Sequence, residues 1–307
     1  MSRLKKCSHK AMVDIRELGK EKRMVLRLGV HVSIQGELDE AVDRALEKGC
    51  NTMQLFTRNP RGWRYKSLDS EIVERFIAKW GASDIEPVFT HMPYLPNLAS
   101  AREEVYEKSV KSLAVELDRC DQLEIPYLVT HLGSNLGSGK EAGLKRIIEA
   151  INTALGQSKG ETVILLENTA GGENSMGSTF EEIQRVIEGI EEKERVGVCL
   201  DTCHAFAAGY DLATSIGLGR TLRLFAEVIG LPRLRLVHLN DSKGGLRSRW
   251  DRHEHIGLGK IGEEGFINIL ASPLGELPLI LETPIDERRS DLDNLQKVRE
   301  LAQKAHT

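Results

Sequence analysis

Eight short apolar runs, separated by segments of helical pattern, constrain this chain more than any other feature. They are Arg27–His31, Thr52–Phe56, Pro87–His91, Tyr127–His131, Val163–Glu167, Val196–Asp201, Leu234–His238 and Leu277–Glu282. Each is of strand length and rich in apolar or β-branched residues. After the first run, Leu38, Ala41, Val42, Ala45 and Leu46 fall at i, i+3, i+4, i+7 and i+8 before Gly49, which predicts an amphipathic helix with a glycine stop. After the fifth, Thr179-Phe-Glu-Glu182 is a capping-box pattern opening a helix with Phe180, Ile183, Val186, Ile187 and Ile190 on one face. Such alternation predicts an α/β fold, and an open doubly wound sheet shares it. The count of eight, with polar residues at nearly every strand end, favours closure into a single-domain (β/α)8 TIM barrel over residues 27–307. Residues 1–26 then form an appended basic extension, with Met24 available as an alternative start.

Length fits one such barrel, because α/β barrels routinely use about 250 residues around one core. No apolar run approaches the roughly 20 residues needed to span a bilayer, and the first 26 residues lack the apolar stretch of a signal peptide. Five scattered cysteines (Cys7, Cys50, Cys120, Cys199, Cys203) do not resemble a disulfide framework, so a reducing, cytoplasmic compartment is expected. A formal charge of −4 argues against general nucleic-acid binding, which normally needs clustered Lys and Arg.

From the third run onward the strands finish in His91, His131, Glu167, Asp201, His238 and Glu282. In a barrel the C-terminal strand ends converge on one face. Imidazoles and carboxylates gathered there, with no Lys or Arg among them, are costly unless something positive lies between them. Metal ions are the economical occupant. His204 follows the sixth strand by three residues, and Asp251-Arg-His253 lies beyond the seventh, with its two outer side chains on one side of an extended segment. Nine candidate ligands, five His and four carboxylates, exceed the needs of one tetrahedral zinc and suit two or three ions. Mixed imidazole and carboxylate ligation suits Zn2+ first, with Mn2+ or iron as substitutes. Clustered divalent ions point to hydrolysis, phosphodiester cleavage being a natural class. Other residues have plainer roles. His31 and His255 read as hydrogen-bonded core histidines, Cys199 and Cys203 as packing residues, and Gly171, Gly172 and Gly177 as a flexible connection.

The segments His31-Val-Ser33, Glu167-Asn-Thr-Ala-Gly171, Asp201-Thr-Cys-His-Ala-Phe-Ala-Ala-Gly-Tyr-Asp211, His238-Leu-Asn-Asp-Ser-Lys243 and Asp251-Arg-His253, followed by Gly257-Leu-Gly-Lys-Ile-Gly262, resemble the endonuclease IV family. The resemblance covers residues 27 to about 300. It implies a TIM barrel with three zinc ions. His91, His131 and Glu167 would hold the first; Glu167, Asp201, His238 and Glu282 the second; His204, Asp251 and His253 the third. The implied reaction is hydrolysis of the phosphodiester 5′ to an abasic site in double-stranded DNA, leaving a 3′-hydroxyl. Glu167 and Glu282 would be the catalytic carboxylates orienting the attacking oxygen, and removal of 3′-blocking groups is a related expectation. Asn59, Arg61, Tyr94 and Leu95 match the family's DNA-reading and wedge positions, although for Leu95, as for Trp63, loop packing is an equal alternative. Pro60 stands where the best-known member has Gln, which removes a side-chain hydrogen bond. Three divalent ions reverse the sign of the formal −4 charge, which answers the objection from net charge. The protein is expected to act as a monomer. A sugar isomerase on the same barrel and a non-catalytic damage binder are the rival readings.

Overall fold

The computed structural model describes residues 26–306. Eight parallel strands close into a barrel: β1 (Leu28–Val32), β2 (Met53–Leu55), β3 (Val88–His91), β4 (Tyr127–His131), β5 (Val163–Glu167), β6 (Val196–Asp201), β7 (Leu234–His238) and, after a short antiparallel ribbon, β10 (Leu279–Leu281). The ribbon pairs β8 (Asp241–Ser242) with β9 (His253–Glu254). Strand β1 pairs with both β2 and β10, so no barrel edge is left open. The helices are α1 (Glu40–Glu47), α2 (Ser70–Gly81), α3 (Glu103–Gln122), α4 (Lys140–Gln157), α5 (Phe180–Gly189), α6 (Thr202–Ala208), α7 (Ser215–Val228), α8 (Gly262–Leu270) and α9 (Asp291–Ala305).

All eight strands fall where the apolar runs predict them. Strands β4 to β7 match residue for residue, whereas β10 is shorter than its run and leaves Glu282 just beyond its end. The predicted helices form as α1 and α5, and Gly49 takes the left-handed conformation (φ +68°) that the stop requires. The capping box is only half formed. Thr179 Oγ1 accepts the Glu182 N–H at 3.2 Å, but the Glu182 carboxylate reaches further back, to the N–H groups of Gly177 and Ser178. Of the extension expected over residues 1–26, all but Leu26 lies outside the described residues, and Leu26 packs against the core.

Strand periodicity then decides what the barrel holds. Alternate residues face opposite sides, so Leu128, Ile164, Leu166 and Val198 pack outward under the helices, in the larger apolar cluster. Phe89, Val129, Leu165, Cys199, Leu236 and Ile280 fill the barrel interior as a separate cluster. Two residues along each of these strands, on the same inward face, come His91, His131, Glu167, Asp201, His238 and Glu282. One parity therefore delivers an apolar plug and, above it, a polar layer.

Candidate metal centre

The polar layer is tightly knit. His91 Nε2 lies 3.1 Å from Glu167 Oε2, and His131 Nε2 lies 3.5 Å from the same oxygen. His238 Nδ1 stands 3.2 Å from Glu167 Oε1, 3.3 Å from Glu282 Oε2 and 4.0 Å from Asp201 Oδ2. His204 Nε2 meets Asp251 Oδ1 at 3.2 Å, and His253 Nε2 lies 3.5 Å from Asp201 Oδ2 and 3.8 Å from Asp251 Oδ1. Glu167, Asp201 and His238 are buried, whereas Asp251 is exposed.

Among the described residues, the groups able to hold a metal ion include His91–His131–Glu167 and Glu167–Asp201–His238–Glu282. These coincide with the first two expected sets and share Glu167. The third expected set is divided between two overlapping groups, Asp201–His204–His253 and Cys203–Asp251–His253. Asp201 thus reaches into a second group. Cys203, read as a packing residue, is buried as expected, but its thiol also borders the site. Burial pushes the Cys199 and Cys203 thiols up to about 12, so neither is a ready thiolate.

Hydrogen bonds to the main chain show that the donor set suits metal ions. His91 Nδ1 donates to the Met92 carbonyl at 2.7 Å, His204 Nδ1 to the Asn168 carbonyl at 3.0 Å, and His253 Nδ1 to the Glu282 carbonyl at 2.9 Å. A carbonyl oxygen can only accept, so in each neutral ring the proton sits on Nδ1 and the Nε2 lone pair faces a carboxylate. Two acceptors at such distances repel unless a proton or a cation lies between them. His253 Nε2 is in fact buried without a hydrogen-bond partner. An imidazole held through its far nitrogen by a carbonyl is the arrangement that orients metal-ligating histidines.

At His204 and His238 the surrounding carboxylates favour a proton in that role. Burial disfavours charge on His204, but Asp201, Asp251 and Glu167 outweigh it and hold the imidazole well above its usual pKa. His238 is raised in the same way, against burial, with the Glu282 and Glu167 carboxylates favouring the charged ring. Glu167 is the counterpart: burial would raise its carboxyl, but His131, His238 and His204 keep it well below the usual range.

Three polar residues that the sequence did not single out complete the layer. Gln54, fully buried on β2, donates to Glu282 Oε1 at 2.8 Å and faces His31 Nδ1 at 2.9 Å, while its Oε1 accepts from His238 Nε2 at 2.8 Å. Asn168 and Asn240 hold Asp201, through its N–H at 2.7 Å and through Oδ2 at 2.8 Å respectively. The signal for both was present, since each lies one or two residues past a strand end. His255 behaves as the core histidine expected, fully buried and bonded to Asp286 and Asn294, whereas His31 is half-buried, meets Gln54 and Glu282, and lines the cavity above the layer with its Nε2 left without a hydrogen-bond partner.

The layer floors a cavity of about 410 Å3 lined by His91, His131, Glu167, His204, Asp251 and Glu282, with Tyr94 at its wall. Tyr94 and Leu95 are 64% and 40% exposed and Trp63 is half-buried, and the Tyr94 ring meets Phe56 edge-on with centroids 5.2 Å apart. Arg61 is exposed, with its N–H held by Asn59 Oδ1 at 3.0 Å, and the Pro60 carbonyl accepts the Tyr94 N–H at 3.0 Å. Pro60 thus contributes a main-chain bond that ties the two loops together.

A closed barrel with clustered His, Asp and Glu at its C-terminal rim defines a class, and the model of the xylose isomerase-like TIM barrel family matches residues 42–305. Sugar epimerases share this architecture: a D-tagatose 3-epimerase-like protein aligns over 92% of this chain and 100% of its own, with a TM-score of 0.67 and 17% identity, a likeness of fold alone. The particular family is settled by sequence. A protein of Methanoculleus marisnigri named Probable endonuclease 4 is 58% identical over 281 residues, spanning 91% of this chain and 99% of that protein. Its namesake from Nitrosopumilus maritimus is 48% identical over 280 residues, 90% of this chain and 100% of the relative. The crystal structure of endonuclease IV from Thermus thermophilus superposes with a TM-score of 0.81 at 39% identity, covering 91% of this chain and 99% of that one. The chain belongs to the endonuclease 4 family, hydrolases of the deoxyribonuclease IV type.

Proposed function

We propose that this protein repairs DNA by hydrolysing the phosphodiester 5′ to an abasic site in duplex DNA, leaving a 3′-hydroxyl, and that it also removes 3′-blocking groups. It acts as a monomer in the cytoplasm with three zinc ions, for which Mn2+ can substitute. What carries this reading is the meeting of the imidazole and carboxylate layer with the exposed Tyr94 in a single cavity.

His91, His131 and Glu167 would hold the first ion, Glu167, Asp201, His238 and Glu282 the second, and His204, Asp251 and His253 the third. When bound, the ions supply Lewis acidity at the phosphate and bring the pKa of a water near neutrality. The chain's own residues do the remainder. Glu167, buried, and Glu282, half-buried, face each other across His238 and orient the attacking oxygen. Gln54 and the main-chain carbonyls keep the imidazoles in one tautomer each. Asn59 and Arg61 from one loop and Tyr94 and Leu95 from the next read the duplex. Inserting such wedges costs least where a base is already missing.

Purified protein is expected to carry about three zinc ions and to incise a duplex with a synthetic abasic site on its 5′ side. Tight binding without incision, in metal-replete protein, would overturn this in favour of a non-catalytic damage binder.

A further inference from the structure

We infer that helix α3 sets the position of the Arg61 loop through a buried polar stripe, so that Glu116 and Arg119 are positioning residues for abasic DNA; this rests on the function proposed above. Ser109, Ser112, Glu116 and Arg119 recur at spacings of three and four residues, which places them on one face of α3. All four are buried, beside the apolar Leu113, Leu117 and Cys120. Charged groups tolerate such burial only when paired.

Their partners belong to the segment between β2 and α2, residues 56–69, which has no regular secondary structure to satisfy its carbonyls. Glu116 takes Arg58 Nε through one oxygen and Thr57 Oγ1, at 2.5 Å, through the other. Arg58 then bonds the Gly62 carbonyl at 3.0 Å and Ser112 Oγ at 2.6 Å. Arg119 reaches Thr57 Oγ1 at 2.8 Å, the Thr57 carbonyl, and the Lys66 carbonyl at 2.9 Å. Two guanidinium groups thus fasten the loop at residues 57, 62 and 66, on both sides of Arg61, and Glu116 is the carboxylate that pairs with one of them directly and meets the other through Thr57. The top of the same stripe holds the neighbouring loop, since Ser109 Oγ accepts the Asn97 N–H at 2.8 Å. With Tyr94 N–H bonded to the Pro60 carbonyl, one helix face fixes Arg61 relative to Tyr94 and Leu95. None of these groups touches the metal centre. Their effect falls on binding geometry.

The test uses full-length, metal-loaded Glu116→Gln and Arg58→Lys proteins. Arg58→Lys keeps a cation opposite Glu116 but loses the fork to Gly62 and Ser112, and serves if Glu116→Gln fails to fold. Each variant should raise KM for an abasic duplex at least about tenfold, with kcat within about twofold of wild type. Trypsin should cut at the exposed Arg61, Arg64 and Lys66 at least about tenfold faster, leaving the rest of the barrel resistant. Unchanged KM or unchanged loop cleavage in a folded variant, or cleavage of Arg58→Lys spread over the whole barrel, would each overturn the inference. If the wild type does not incise abasic DNA, the proposed function fails, and loop cleavage alone then decides the role of the stripe.

Discussion

Glu167 is the side chain on which the centre turns, since both of its oxygens face imidazoles from three other strands and from α6. Replacing it with Gln keeps the shape but removes the shared charge. Glu167→Gln should lower incision by at least about a hundredfold while the circular dichroism spectrum stays native, and wild-type rates in that variant would refute a bridging role. Asn240 acts one step out, donating to Asp201 Oδ2 and accepting the Glu282 N–H at 2.8 Å. Asn240→Ala should weaken zinc binding by about 10–100-fold, read by competition with a chromogenic chelator. The strand-end His, Asp and Glu residues were visible in the sequence because each closes an apolar run, where polarity is conspicuous. Gln54 was not, because it lies inside its run, two residues before Phe56, and that run closes on an apolar residue. The division of the third ligand set was equally hidden. It depends on how far Asp201 reaches across to His253, a distance that no spacing encodes.

Among the elements, β1 fits its neighbour through the absence of a side chain. A Cβ on Gly29 would lie 1.9 Å from the Thr52 carbonyl oxygen, in the backbone of the adjoining β2 segment. Gly29→Ala should therefore cost at least about 1–3 kcal/mol, measured by the urea midpoint, because a strand cannot yield as a flexible side chain can. The β8–β9 ribbon had no sequence signature, since two-residue strands are too short for any period to appear. Asp241 on that ribbon explains the Gly257-Leu-Gly-Lys-Ile-Gly262 motif instead. Its carboxylate accepts the N–H groups of Gly257 and Gly259 at 2.9 Å each and of Ile261 at 3.0 Å, folding that segment around one side chain. Asp241→Asn turns a donor toward these donors. A loss of about 1–3 kcal/mol is expected in the same urea experiment.

For the whole molecule, the proposed centre sets protons against metal ions for one set of atoms. The raised His204 and His238 values stabilise the metal-free protein below pH 6.5, and that contribution fades as pH rises through their folded values. The depressed Glu167 value acts oppositely, its contribution being present above pH 4.5 and lost as pH falls below it. Metal binding must expel the imidazole protons, so the rise in Tm on adding zinc should grow between about pH 6 and pH 8. A zinc effect independent of pH over that range would contradict the proton-filled state. The three imidazoles clamped to main-chain carbonyls carry a last implication, for evolutionary change. The clamps belong to the backbone, which every substitution leaves in place, so the rim loops are free to diverge in sequence while the inner layer keeps its geometry. A barrel wired in this way can acquire new clientele at its mouth without rebuilding its chemistry.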